Sequence, residues 1–149
     1  MRRPKRFFYI IRTNHFFLYK GKHIQMVGYG VTDNPNKRIL DYMHLSGGEQ
    51  EFCYLWYSPT FRAKSLEDVV KQMTGSDTHK INGQYVEWIS PKSNLTVESL
   101  KGMIEEIIDN EKLDVRPIKA EYLPFDNSPY HKKITPREIN NNPSKYLDS

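Results

Sequence analysis

"GYGVTDNPNKRILDY", Gly28 to Tyr42, holds the end of a strand, a turn and the start of a helix in fifteen residues. Asn34 before Pro35 marks the helix start. The asparagine side chain caps free amides, and proline at the first helical position gives up an N–H that has no partner there. The helix is expected to run to about His44 and stop ahead of Gly47 and Gly48. At 100° per residue Ile39, Leu40 and Met43 form one stripe, while Arg38 and Tyr42, four apart, share a different face. A helix that only packs on a core needs neither side chain, so that second face is assigned to some other task.

Upstream, "RFFYIIRT" (6–13) is β-branched and aromatic without a breaker and reads as a strand. "HIQMVGYGV" (23–31) reads as its partner, with "KGK" (20–22) at the hairpin tip. Downstream, "EFCYLWYS" (51–58) is a third strand. Pro59 is expected to open a second helix, with Ala63, Leu66, Val69, Val70 and Met73 at helical spacing and Gly75 at its end. "QYVEWIS" (84–90) is a short extended piece after an Asn82-Gly83 turn. Thr96 caps a third helix with Val97, Leu100, Ile104, Ile107 and Ile108 on one side. Six acids oppose two lysines from Val97 to Asp114, so this helix is expected to face away from nucleic acid.

From Pro117 onward Pro124, Pro129, Pro136, Pro143 and "NNN" (140–142) break any periodicity. The expected organisation is α+β: a small, mostly antiparallel three-stranded sheet flanked by helices over residues 1–115, then an irregular, extended or partly disordered C-terminal tail over 116–149.

A chain of 149 residues supports one core of ordinary size. No apolar run approaches the roughly 20 residues a membrane span needs, so a soluble, cytoplasmic protein without a membrane partner is expected. Cys53 is alone, which rules out an internal disulfide, and no cysteine–histidine cluster has zinc-finger spacing. Charge is unevenly spread. Residues 1–32 hold seven basic side chains and no acid, although the whole chain is only +4. That segment interleaves its cations with Phe7, Phe8, Tyr9, Phe16, Phe17 and Tyr19, the composition expected where phosphates are neutralised beside stackable rings. The plainer alternative is a solvated hairpin with a charged face.

Gly30, followed eight residues on by Arg38 and then by Tyr42, resembles the second half of the signature of the GIY-YIG nuclease superfamily, in a divergent phage or bacterial branch. "FFY" (7–9) looks like a relaxed first half, with Tyr9 on the signature tyrosine. The second signature tyrosine falls on Gly28, and Tyr29 is its candidate if Gly28 marks a bulge that re-aims it. "AKSLEDVVKQ" puts Glu67 four residues after Ala63, similar to the family's metal-binding glutamate. Asn82 is a candidate for the asparagine that often lies beyond it, and "QYVEWIS" is similar to a Glu-Trp-Phe stretch of some branches. The resemblance covers roughly residues 5–90 and rests on the order and spacing of individually weak motifs.

The resemblance implies a metal-dependent endonuclease that hydrolyses phosphodiester bonds in DNA, with Mg²⁺ or another divalent cation such as Mn²⁺. Tyr9 would be the general base or would orient the water. Arg38 would grip non-bridging oxygens in a bidentate fork. Tyr42 would hold the phosphate or a leaving-group water, Tyr29 would join the catalytic set, and Glu67 would be the single carboxylate that Mg²⁺ requires. Arg12, Lys20, Lys22, Lys37 and Asn82 would contact nucleic acid, expected to be double-stranded DNA, with a homodimer left open. Two alternatives stand beside this: a protein of the same fold that binds nucleic acid without cleaving it, and a phage protein that blocks a host system by binding protein.

Overall fold

In the computed structural model the described residues are 5–13, 17–24, 27–38, 50–74, 77–81, 84–88, 95–119, 122 and 136–148. Strands β1 (Phe7–Thr13), β4 (Val27–Thr32), β5 (Gln50–Tyr57), β6 (Asp77–Ile81), β7 (Gln84–Trp88) and β8 (Arg116–Pro117) form one sheet in the order β6-β7-β4-β1-β5-β8. Every pairing in it is antiparallel. A separate two-stranded hairpin joins β2 (Phe17–Tyr19) to β3 (Lys22–Ile24). Its tip places Lys20 and Gly21 at φ 48° and 77°, the two positive values that a tight two-residue hairpin turn demands.

The α+β class expected from the sequence is present, with an antiparallel sheet flanked by helices. The sheet is wider than expected, with six strands. The segment "HIQMVGYGV" divides between β3 and β4, and "DTHKI" (77–81), which has no clear alternation, pairs with β7 as an additional strand. Asn82 and Gly83, between Ile81 and Gln84, lie outside the described residues.

β1 lies inside the sheet between β4 and β5, and side chains on both of its faces are buried: Phe7, Phe8, Tyr9, Ile10 and Ile11 are each fully buried. That explains an unbroken apolar run in place of alternation. The even-numbered side, Phe8 and Ile10 with Tyr29 and Trp56, packs against helices α1 (Ala63–Thr74) and α2 (Val97–Glu111) through Ala63, Leu66, Val70, Leu100 and Ile104. Each such burial contributes roughly 1.5–3 kcal/mol. The Thr96 cap is as expected, its Oγ1 accepting the Ser99 N–H at 3.1 Å. Lys112 closes the helix in the left-handed conformation at φ 51°.

α1 begins four residues later than Pro59 suggests. Ser58 is fully buried and its Oγ accepts the Arg62 N–H at 2.8 Å, so 58–62 is an ordered turn that holds the helix back to Ala63. Met73, expected on the apolar stripe, is 56% exposed.

The tail carries more order than its prolines suggest. Ile118 N–H bonds Leu55 C=O at 2.8 Å, Ile118 pairs with Leu147, and Asp148 N–H bonds Pro117 C=O at 2.8 Å. Helix α3 (Pro136–Asn141) and a 3-10 turn (Pro143–Tyr146) follow, with Ile139, Pro143 and Tyr146 buried. Proline at a first helical position starts both, which is where proline costs nothing.

Candidate functional site

β4 runs beside β1 so that Gly30 lies directly opposite Tyr9. A Cβ added at Gly30 would stand 2.7 Å from Tyr9 Cζ and closer still to the hydroxyl oxygen. The phenol therefore lies across the bare backbone of Gly30, a contact that no other residue there would permit. This gives a steric cause for the glycine of the opening stretch. At the far end of the ring, Arg38 Nε donates to Tyr9 Oη at 2.9 Å, and the guanidinium carbon is 6.0 Å from the ring centroid.

The turn between β4 and Arg38 is fixed by short-range bonds. Thr32 Oγ1 accepts the Asn34 N–H at 3.0 Å, and Asn34 Oδ1 accepts the Lys37 N–H at 3.0 Å. Asn34 C=O accepts the Arg38 N–H at 3.0 Å, so Asn34 is the helix cap that the sequence predicts. The helical turn described, 35–38, then carries Arg38 back over the sheet. Arg6 at the head of β1 ties this turn down from the other side, its Nε 3.0 Å from Asp33 Oδ1 and its Nη2 donating to Asp33 C=O at 3.1 Å.

The structure thus brings Tyr9 and Arg38 together. Both are enclosed: Tyr9 is 0% exposed and Arg38 9%. A guanidinium held against a phenol oxygen in a dry site places positive charge where an anion or a deprotonating oxygen would need it.

The other expected members are placed differently. Tyr29 pairs with Ile10, faces the opposite side of the sheet from Tyr9, and stacks on Phe8 at 5.9 Å between centroids. It is a core residue. The register irregularity of the sheet lies between Ile10 and Ile11 against β5, and β1 and β4 pair in unbroken register through Gly28, so no bulge re-aims Tyr29. Glu67 is on α1, the helix that covers the Phe8 and Ile10 side rather than the Tyr9 side. Its carboxylate accepts from Lys64 Nζ at 2.7 Å, and Lys64 also reaches Asp68 at 3.1 Å. These carboxylates, Glu67 first, hold the Lys64 ammonium above its usual pKa.

A magnesium ion needs at least one carboxylate free to turn toward the phosphate. Glu67 engages Lys64 on the far layer, and no group of three histidine, cysteine, aspartate or glutamate side chains among the described residues is arranged to hold a metal. The described residues do not fit a preformed magnesium centre beside Tyr9 and Arg38.

Tyr42 and Asn82 lie outside the described residues. Among the expected nucleic-acid contacts, Lys20 and Lys22 are exposed at the hairpin tip, Lys37 is exposed one residue before Arg38, and Arg12 is half-buried near the end of β1. Sequence reasoning missed the Arg6–Asp33 clamp and the ordered 58–62 turn. Only the Ser58-Pro59 pair, a common helix-start signal, hinted at the turn.

No helix among the described residues is long and apolar enough to cross a membrane. Comparisons with protein-family models, with curated proteins and with solved structures find no match to this chain.

Proposed function

We propose that this chain is an endonuclease of the GIY-YIG type acting on DNA. The observation that supports the reading is the Arg38–Tyr9 hydrogen bond closed over Gly30, residues that the resemblance assigns to the two halves of the signature. Arg38 would hold non-bridging phosphate oxygens as charge builds on them, and the Tyr9 oxygen, released from Arg38 by that phosphate, would accept the proton of the attacking water. Tyr9 would act as the phenolate, its own proton already lost to bulk water: it takes the proton of the attacking water as the new phosphate–oxygen bond forms, the bond from phosphorus to the displaced sugar oxygen breaks, and that oxygen takes a proton from solvent. Access requires the cover over Tyr9 to open when DNA binds, because the phenol is fully enclosed in the free protein. Exposed Lys20, Lys22 and Lys37 supply the sequence-independent attraction to the backbone.

A second reading, binding of nucleic acid without cleavage, is favoured by that same enclosure and by the engagement of Glu67 with Lys64. The two part company on supercoiled plasmid incubated with Mg²⁺ or Mn²⁺, with and without chelator. The endonuclease reading expects nicking that falls at least 100-fold in Arg38→Ala and Tyr9→Phe, both checked for folding by circular dichroism. Binding that weakens with salt and leaves every plasmid intact supports the second reading and ends the first. Nicking that survives in Glu67→Ala would agree with Glu67 lying on the far layer of the sheet, away from Tyr9.

A further inference from the structure

The turn from β5 into α1 holds a feature that the Tyr9–Arg38 site does not use. Phe61 sits at φ 61°, in the left-handed region that disfavours any side chain with a Cβ, and it is 49% exposed. Neither condition follows from packing, since a buried aromatic would explain the strain and a glycine would remove it. The turn beneath it is built: the Phe61 N–H donates to Ser58 C=O at 3.3 Å, buried Ser58 bonds the Arg62 N–H, and the Ser58 N–H donates to Arg6 C=O at 2.7 Å. The ring is therefore presented on an ordered backbone.

The next residue is a cation. Arg62 is exposed, and its guanidinium is bonded to no side chain among the described residues. The turn is tied to the head of β1, where Lys5 is exposed and Arg6 answers Asp33. At the same end of the sheet Tyr57, half-buried, pairs in register with exposed Arg116, whose Nη2 donates to the Asp148 carbonyl at 3.4 Å.

We infer that Phe61 and Arg62 form a binding site for a single-stranded segment of nucleic acid, with an unpaired base stacked on the Phe61 ring and the adjoining phosphate on Arg62. A phenyl ring has no group to read a base edge, so it contributes through the face of a base that is free to unstack, and the adjacent Arg62 complements the backbone. This rests on the proposed function only in taking nucleic acid as the ligand.

The test is fluorescence anisotropy with a labelled 12-mer of thymidylate in chelator, over a range of salt. Phe61→Gly is expected to raise the thermal midpoint, because the strain is relieved, and yet to weaken binding by about tenfold. A variant that merely damaged the turn would lower both. Arg62→Ala should reduce the slope of log K against log salt by about 0.7. Met73→Ala, the other exposed large apolar side chain among the described residues, should leave binding within twofold. The inference is overturned if Phe61→Gly binds as the parent does, if the parent binds a 12-base-pair duplex at least as tightly, or if it binds no oligomer. It is overturned equally if sedimentation shows that Phe61→Gly dissociates a dimer while oligomer binding stays unchanged. Plasmid nicking is scored separately: nicking without Phe61-dependent binding sinks only this site, and Phe61-dependent binding without nicking sinks only the endonuclease.

Discussion

Gly30 and Tyr9 form a pair in which each residue makes sense only through the other. An alanine at 30 would drive its Cβ into the phenol, which is enclosed and cannot retreat. Gly30→Ala is therefore expected to destabilise the fold by about 1–3 kcal/mol in urea denaturation. In a Tyr9→Ala background the obstructing ring is gone, so the same glycine substitution should cost markedly less. The coupling in that double-mutant cycle should exceed about 1 kcal/mol, and additive values would show that the ring does not press on Gly30. Tyr9→Phe keeps the ring and deletes the oxygen that Arg38 addresses; its expected cost is about 1–3 kcal/mol, the usual effect of removing one partner from a buried polar group.

Helices here are delimited by side-chain caps and ordered turns, and this can be measured. Thr96→Ala removes the acceptor for the Ser99 amide and should lower stability by about 1 kcal/mol, whereas Thr96→Ser should restore it. On α1 the shared Lys64 side chain is 62% exposed, although Glu67 is only 13% exposed, so solvent screens both of its pairs and their combined worth is a few tenths of a kcal/mol. The sign follows from the raised Lys64 pKa. The contribution is fully present below the unfolded lysine value near 10.4 and fades as pH rises through the higher folded value. A Lys64→Met variant should therefore approach the parent in stability as the pH is raised above about 10.5, and a constant gap between them would place the effect in packing instead. The same substitution frees Glu67, so it also tests whether the lysine restrains that carboxylate.

As a single molecule, the protein buries its central strand beneath two helices and extends its sheet edge with the C-terminal segment. One side is closed by α1 and α2. The residues after Arg116 extend the sheet beyond β5, and Ile139 and Tyr146 of this segment are 0% and 7% exposed. Ending the chain after residue 135 should cost roughly 3–6 kcal/mol, an upper figure from burying those two side chains, and Ile139→Ala alone about 2–4 kcal/mol. A truncated protein as stable as the parent would show that the segment is an appendage.

What could be known from residue order was whatever local chemistry writes within a few positions. The strands β1 and β5, the Asn34 and Thr96 caps, the apolar stripe of α2 and the hairpin tip at Lys20-Gly21 all follow from propensity, periodicity or turn geometry. The partnership of Tyr9 with Arg38 was expected only through the resemblance to a nuclease signature; the register that puts Gly30 opposite Tyr9, and the capped helix that returns Arg38 to it, are its tertiary cause. The rest depended on contacts between distant segments. Which side of the sheet α1 covers was open until its packing was known, and that choice separated Glu67 from Tyr9 and sent Tyr29 into the core. The order of the tail was hidden for the same reason: its prolines suppress local periodicity, and its stability comes from bonding to an edge of sheet that only the assembled fold provides.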